Sequence, residues 1–401
     1  MKPDGGPPRV VLLGAQFGGL AALHWLVRLR RAVPMRLSVV AARPYAVYRP
    51  DLVFSALGRP GFVARTRIDL PSLCRRLGAE LVLDYAVSID APRRQVRLVH
   101  RSPLAYDVLF WATGMDWDWN AIPGLDPSVG WLPEDFSARH IAQRLAAWSS
   151  GTVAVVVGAL AQDPRQTPAL ATALDTPAAE WALLAAAAQR HAVSSKTARI
   201  VLVTGAACVG EGLGPAARGI LAVELHRAGV EVRMCARVEK VGPDFLVVSS
   251  PDGKSRLKTG GTIWLPPTRG SDLARRSGLD DGYGWVPTNA YLQHVDWPDL
   301  YALGDLNRDS LPKMGHAAMV QARVAVRHWV ARMRGGPMPD PYRASVLAIV
   351  QLGHRRALAA SSDVLYGGSR ELAFVGPLPY LAKQAFGLMY RRGGGGLPRM
   401  P

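Results

Sequence analysis

Val10 to Leu23, VVLLGAQFGGLAAL, constrains this chain more than any other stretch. Four apolar residues, Val10 to Leu13, have the length and branching of a buried strand. Gly14, Gly18 and Gly19 then set a tight turn, and Leu20 to Leu29 continues as a helix. A strand that enters a helix through glycines gathers backbone N–H groups and the positive end of the helix dipole at one point. That point suits a pyrophosphate, and the arrangement is the phosphate-binding half of a dinucleotide fold. The full pattern is GxGxxG, and Gln16 stands where its middle glycine would be. A strand, turn and helix that simply pack, with no ligand, would leave the same trace.

The 401 residues allow two or three domains with sizeable cores. The net charge of +17 is carried mostly by arginine. Such an excess suits an anionic membrane surface or phosphate-bearing ligands. The arginines are dispersed, and no helix-turn-helix, zinc-finger or RNA-binding signature accompanies them, so no nucleic-acid partner is expected. Cys74, Cys208 and Cys235 lie far apart, which gives neither a redox dithiol nor a metal site. The N-terminus lacks the apolar core of a signal peptide, and no apolar run is long enough to span a bilayer. The expectation is a cytoplasmic protein that lies at most on the inner face of a membrane.

Arg36 to Ala41 reads as the second strand. An acid at its end would hold ribose hydroxyls, but that position falls at Ala41 or Ala42. Arg43 follows, to stack on an adenine, reach a phosphate or remain a surface charge. Leu70 to Leu77 reads as a helix, and Glu80 to Val87, Gln95 to His100 and Tyr106 to Gly114 as strands. Asp116 to Pro133 reads as a linker, whose Trp117 and Trp119, with Trp111, line a pocket or merely pack. A helix is expected around Arg139 to Trp148. Gly151 to Gly158 opens a second strand-turn-helix unit. Its turn, Ala159 to Leu170, has no further glycine and is broken by Pro164 and Pro168, so a second nucleotide site, such as one for NADH, is disfavoured. Glu180 to His191 and Gly214 to Ala228 read as helices. Ala198 to Thr204, Val230 to Val238, Phe245 to Ser249 and Gly261 to Leu265 read as strands, with Cys235 in a buried one. The fold class is therefore α/β, with two Rossmann-like dinucleotide-binding domains and a C-terminal extension. The expected division is 8–115 with 285–340, then 116–284, then a C-terminal segment 341–401.

Four segments in this order carry a family resemblance: the N-terminal glycine turn, ATG at Ala112 to Gly114, LGD at Leu303 to Asp305, and PKMGH at Pro312 to His316. The chain resembles flavoproteins with two dinucleotide-binding domains. It is most similar to sulfide:quinone oxidoreductases and flavocytochrome c sulfide dehydrogenases, with type II NADH dehydrogenases as cousins. The resemblance covers residues 8–392. It implies an FAD-dependent oxidoreductase with noncovalent FAD, whose pyrophosphate lies over Gly14, Gln16, Phe17, Gly18 and Gly19. Arg43, Ala112, Thr113, Gly114 and Gly304 would line the same cofactor. Asp305 would hold its ribityl or pyrophosphate part, where the bland reading is a helix cap. Lys313 would lie close to the isoalloxazine, where the bland reading is a solvated surface charge. Gly315 and His316 would point N–H groups at the ring edge, and Lys313 and His316 are the catalytic candidates.

The tail segment LAKQAF, Leu381 to Phe386, matches one that lines the quinone pocket in the sulfide:quinone oxidoreductases, implying Lys383 and Phe386, with Pro50, as pocket residues. Plain packing of an amphipathic helix is the alternative. The relay cysteines of that family are missing. Asp135 to Arg144, Gly158 to Ala171 and Pro341 to Gly353 contain none, so sulfide is not expected as substrate. Electrons would then pass between bound flavin and a small organic substrate or quinone. The competing reading, suggested by Gln16 and Ala41, is a flavin-free scaffold or partner subunit. Apolar residues beside cations in Leu378 to Arg392 suit an interfacial helix with weak contact to anionic membranes. A homo- or hetero-oligomer stays open.

Overall fold

The computed structural model describes residues 6–57, 64–126, 138, 140, 141, 143, 151–160, 170–190, 199–308 and 313–396. In chain order the elements that position the site are β1 (Arg9–Leu13), α1 (Phe17–Leu29), β2 (Arg36–Ala41), β3 (Glu80–Leu83), β4 (Val108–Trp111), β5 (Thr152–Val157), α2 (Asp175–Arg190), β6 (Arg199–Val203), α3 (Pro215–Arg227), β7 (Glu231–Arg233), β8 (Gly261–Leu265), β9 (Leu300–Ala302), α4 (Gly315–Arg334), β10 (Val346–Gly353), β11 (Arg356–Ser362), β12 (Glu371–Gly376) and α5 (Pro377–Arg392).

Two parallel sheets carry the architecture. The first runs β9-β4-β1-β2-β3, and the second runs β7-β6-β5-β8. Strands buried on both faces need continuous apolar runs, and VVLL, VLFW and VAVVV supply them. The chain enters the first sheet, crosses to the second and returns through β9. Residues 10–13, 108–111 and 300–302 therefore end side by side. A third, antiparallel sheet, β10-β11-β12, follows, and α5 packs on it.

Several expected elements end differently. The first helix begins at Phe17, three residues early, because extended Gln16 already serves as its N-cap. The Glu80 to Val87 strand breaks at Asp84, whose carboxylate accepts the N–H groups of Tyr85 and His100 and so makes a turn. Val230 to Val238 is not one strand. The backbone turns at Cys235, where φ is +48°, and the chain leaves β7 for an antiparallel sheet at Arg237–Val241. Cys235 is consequently exposed, not buried. The segment read as a linker is packed. Asp116–Trp117 pairs with Thr268–Arg269, Ile122 and Leu125 are buried, and Trp119 packs against the second sheet. Trp111 is fully buried in β4 with its indole N–H donating to Thr113 Oγ1 at 2.8 Å. Trp111 and Trp119 are therefore packing residues. The helix expected near Arg139 to Trp148 falls mostly outside the described residues, as does most of the turn after β5.

Candidate functional site

The three turns singled out in the sequence meet at the C-terminal ends of β1, β4 and β9. Ala112 N donates to Leu13 O at 2.7 Å and Leu303 N to Trp111 O at 2.8 Å, so each turn is fastened to the next. Gly14 has φ +97°, and a Cβ there would sit 2.5 Å from Ala112 O. A Cβ on Gly19 would run into Gly14 O, whereas one on Gly18 would meet Ala112, Leu303 and Ala318 Cβ atoms each at 3.6 Å. Gly14 and Gly19 are therefore required by close backbone approach, and Gly18 is not. Gly19→Ala is expected to cost more than about 3 kcal/mol of stability, and Gly18→Ala less than about 1 kcal/mol. Denaturant unfolding of the two variants checks this, and equal midpoints would refute it.

The start of α1 has no side-chain cap. The first N–H groups of a helix need partners from outside it. Gln16 does not supply one, because its Oε1 turns to Val47 N at 3.4 Å. The start of α4, Gly315 and His316, also lacks a side-chain cap. Two uncapped helix starts thus flank the three joined turns, an arrangement made for an extended anion. Gly315 lies against the Phe17 ring, and Phe17 packs with Tyr48 and Tyr390 at ring-centre distances of 5.9 and 5.1 Å.

Asp305 follows Gly304, whose φ is +72° and whose N–H donates to Gln321 Oε1 at 2.6 Å. Burial pushes the Asp305 carboxyl up, opposed by Lys313 and then Arg49. Lys313 is buried, not solvated. Its ammonium donates to the carbonyls of Asp305 at 3.1 Å and Asn307 at 2.6 Å and lies 4.3 Å from the centre of the Trp285 ring. His316, at the start of α4, lines a groove between α1 and α4 whose lining includes neither Lys313 nor Asp305, and burial holds its pKa below the usual histidine value. Arg43 and Thr113 are exposed at the strand ends, Gly114 turns with φ +81°, and Pro50 is half-buried in the segment Arg49–Leu57.

The tail residues come to the same region from the other side. Lys383 is buried and ion-paired with Glu180 of α2, and it donates to Ile349 O at 2.9 Å. Phe386 packs on Tyr48 and Tyr390, with ring centres 6.3 and 5.9 Å away. Arg391 pairs with buried Asp51. Burial raises the Asp51 carboxyl, with Arg391 and Lys383 opposing.

No family model matches the chain. A curated relative, the type II NADH:quinone oxidoreductase Ndh of Mycobacterium tuberculosis, is 24% identical over 360 residues, 83% of this chain and 75% of its own. The sulfide:quinone oxidoreductase of Aquifex aeolicus superposes with a TM-score of 0.83 at 19% identity, covering 96% of this chain and 92% of that one. NDH2 of Plasmodium falciparum, solved with NADH, gives 0.74 at 12% identity, covering 97% of each chain. The fold is that of the FAD pyridine-nucleotide oxidoreductase superfamily.

Within that fold the second sheet is not built like the first. Gly158 follows β5 and packs against Pro266 and Pro267. Beyond it, Leu160 N donates to Ala171 O at 3.1 Å, so that amide is spent inside the protein. Asp175, buried at the start of α2, takes the N–H groups of Gly210 and Glu211 at 2.7 and 2.8 Å. The glycine-rich stretch after β6 thus closes on an internal carboxylate. Sequence reasoning missed Glu180, Arg49, Asp51 and Gln321. A lysine expected on a packed helix face is the one signal that called for a buried acid such as Glu180.

Proposed function

We propose that this chain is an FAD-dependent oxidoreductase that passes electrons between bound flavin and a quinone or small organic substrate. The observation that carries the reading is the junction of the Gly14, Ala112 and Leu303 turns beneath two uncapped helix starts. The residues present fit FAD: the glycine cradle and the α1 start for pyrophosphate, and the Asp305 carboxylate for a ribityl hydroxyl. Bound FAD supplies reversible two-electron transfer. Around it, Lys313 holds a positive charge under the Gly304–Asp305 turn. His316, the second catalytic candidate, stands at the start of α4 and lines the groove between α1 and α4. Lys383 would supply a proton to an acceptor carbonyl in a pocket it forms with Phe386 and Pro50, from an ammonium held by Glu180 and Ile349 O. The division into 8–115 with 285–340, 116–284 and 341–401 is part of this proposal, supported by the two separate parallel sheets.

Purified protein, or protein incubated with excess FAD, should show flavin absorbance that stays with it through gel filtration. Its absence would favour the flavin-free scaffold that Gln16 and Ala41 suggest. Gln16→Gly is expected to tighten FAD binding about threefold to tenfold, since Gln16 Oε1 accepts the Val47 N–H and the side chain adds bulk beside the helix start. A fluorescence titration showing weaker binding would mean that the amide itself donates to the diphosphate.

NADH and sulfide are proposed to be poor donors. The support is Leu160 N already bonded to Ala171 O and the absence of cysteine from the three relay stretches. Anaerobic mixing with a stoichiometric amount of either should leave the flavin oxidised over seconds to minutes. Rapid bleaching by one of them would overturn that half of the proposal.

A membrane contact is proposed at α5. It leaves Leu378, Leu381, Leu388 and Met389 at 72, 57, 43 and 47% exposure, a stripe at helical spacing that no described element covers. Among the described residues no helix is long and apolar enough to cross a membrane.

A further inference from the structure

The groove between α1 and α4 is outside the assembly of turns described above. It encloses about 1160 Å³ and is roofed by the segment from Asp340 to Leu347 and by Gly393, Gly395 and Gly396 after α5. Its floor is apolar, made by Ala21, Met319, Val320 and Val324. Three arginines, Arg28, Arg323 and Arg343, stand around it, with Asp340 the one acid in the lining. None of the three is ion-paired with a described residue; Arg28 instead lies 5.0 Å from the centre of the Trp25 ring. The histidines in the wall, His24 and His316, add no charge at neutral pH, since burial lowers the pKa of both. His24 Nε2 is within 3.0 Å of Gly394 O, which pins the glycine tail as one lip.

Unpaired guanidinium groups around an apolar floor ask for a ligand that is anionic at one end and apolar at the other. The direction of the apolar end is set by Leu347. It lines the groove, is 50% exposed and begins the outer row Leu347, Ser361, Leu372 of the β10-β11-β12 sheet. Leu372 and Phe374 on that face are 59 and 45% exposed, and α5 packs on the same sheet. The groove therefore opens onto the uncovered apolar surface, with its arginines set back from it.

We propose that the groove is a headgroup site for an anionic membrane phospholipid, with the phosphate held by Arg28, Arg323 and Arg343 and the acyl chains leaving past Leu347. It rests on the membrane contact proposed at α5 and adds lipid selectivity to it. Charge attraction spread over the whole protein would not depend on which arginines are removed. A headgroup site depends on these three.

The test is vesicle co-sedimentation of the full chain at about 0.15 M salt, with vesicles of phosphatidylcholine alone or with about one third phosphatidylglycerol. The triple variant Arg28→Gln, Arg323→Gln, Arg343→Gln is compared with a control that removes equal charge from exposed sites elsewhere, Arg101→Gln, Lys240→Gln, Lys258→Gln. The groove variant should lose roughly a hundredfold in affinity for the phosphatidylglycerol vesicles and the control about twofold or less. Flavin absorbance and the unfolding midpoint report that both variants remain folded. Equal losses in the two variants would overturn the site and leave general electrostatics. Displacement of the protein from vesicles by millimolar glycerol phosphate, matched by phosphate binding without vesicles, would overturn it in favour of a soluble phosphate ester. Binding to neither vesicle by the parent chain would remove the α5 contact, and the headgroup site with it. Binding that survives Leu378→Ser with Leu381→Ser but not the arginine changes would separate the groove from the stripe.

Discussion

Lys383→Ala is expected to destabilise the protein by about 3–5 kcal/mol, far more than loss of a surface charge. The ammonium and its partner Glu180 retain only 7 and 11% of their side-chain exposure. Removing the lysine strands a carboxylate that also accepts Gln351 N at 2.7 Å. Glu180→Gln should do comparable damage by stranding the ammonium. The double replacement Lys383→Met with Glu180→Gln should recover most of the loss, because the large term is an uncompensated buried charge and not the attraction itself. Urea midpoints of Lys383→Met alone, Glu180→Gln alone and the double variant form the cycle. If the losses simply add, the two groups are not coupled and the pair does not hold α5 to α2. The same variants separate structure from function. A folded double variant that keeps its flavin but is slow with a quinone acceptor would place Lys383 Nζ at the acceptor. One with unchanged turnover would leave it as a strut.

What could be read from the sequence is what depends on neighbours in the chain. The three turns and both parallel sheets follow from local patterns. A glycine forced to φ +97° and an apolar run buried on both faces leave their mark within a few residues. Gly304 was legible for the same reason, but the residue that fixes it, Gln321, was not. One glutamine on a helix carries no signal until the fold brings it to Gly304 N. The Glu180–Lys383 pair spans 203 positions and Asp51–Arg391 spans 340, and no spacing rule reaches that far.

The errors have equally local causes. Cys235 sits in a run that alternates well enough to read as strand, yet β7 and the next strand belong to different sheets, so the chain must turn between them. For Lys313 it is the alternative reading, a solvated surface charge suggested by its polar type alone, that fails. In the fold its ammonium replaces water with two carbonyls and the Trp285 face.

Asp305→Asn is expected to weaken FAD about tenfold to a hundredfold while making the flavin-free protein more stable at neutral pH. The first effect is the loss of a charged acceptor for a ribityl hydroxyl. The second follows from the direction of the pKa shift. Burial raises the Asp305 carboxyl above its unfolded value, and Lys313 and Arg49 offset only part of that. A raised carboxyl favours folding while it is protonated, below the unfolded value of about 3.9, and that advantage is lost as pH rises through the folded value. At neutral pH the unfolded chain therefore ionises this carboxyl freely in water while the folded site disfavours its charge, so the group costs stability there. Asparagine has nearly the same shape and no charge, so its benefit should be largest near pH 7 and should vanish toward pH 4. Thermal melts of both flavin-free proteins across that range, beside a flavin titration at pH 7, measure the two effects separately. A variant that binds FAD as tightly as the parent would take Asp305 out of the cofactor site. One that is less stable than the parent at pH 7 would mean that Lys313 and Arg49 more than compensate the buried charge, making Asp305 a structural anion of the Gly304 turn.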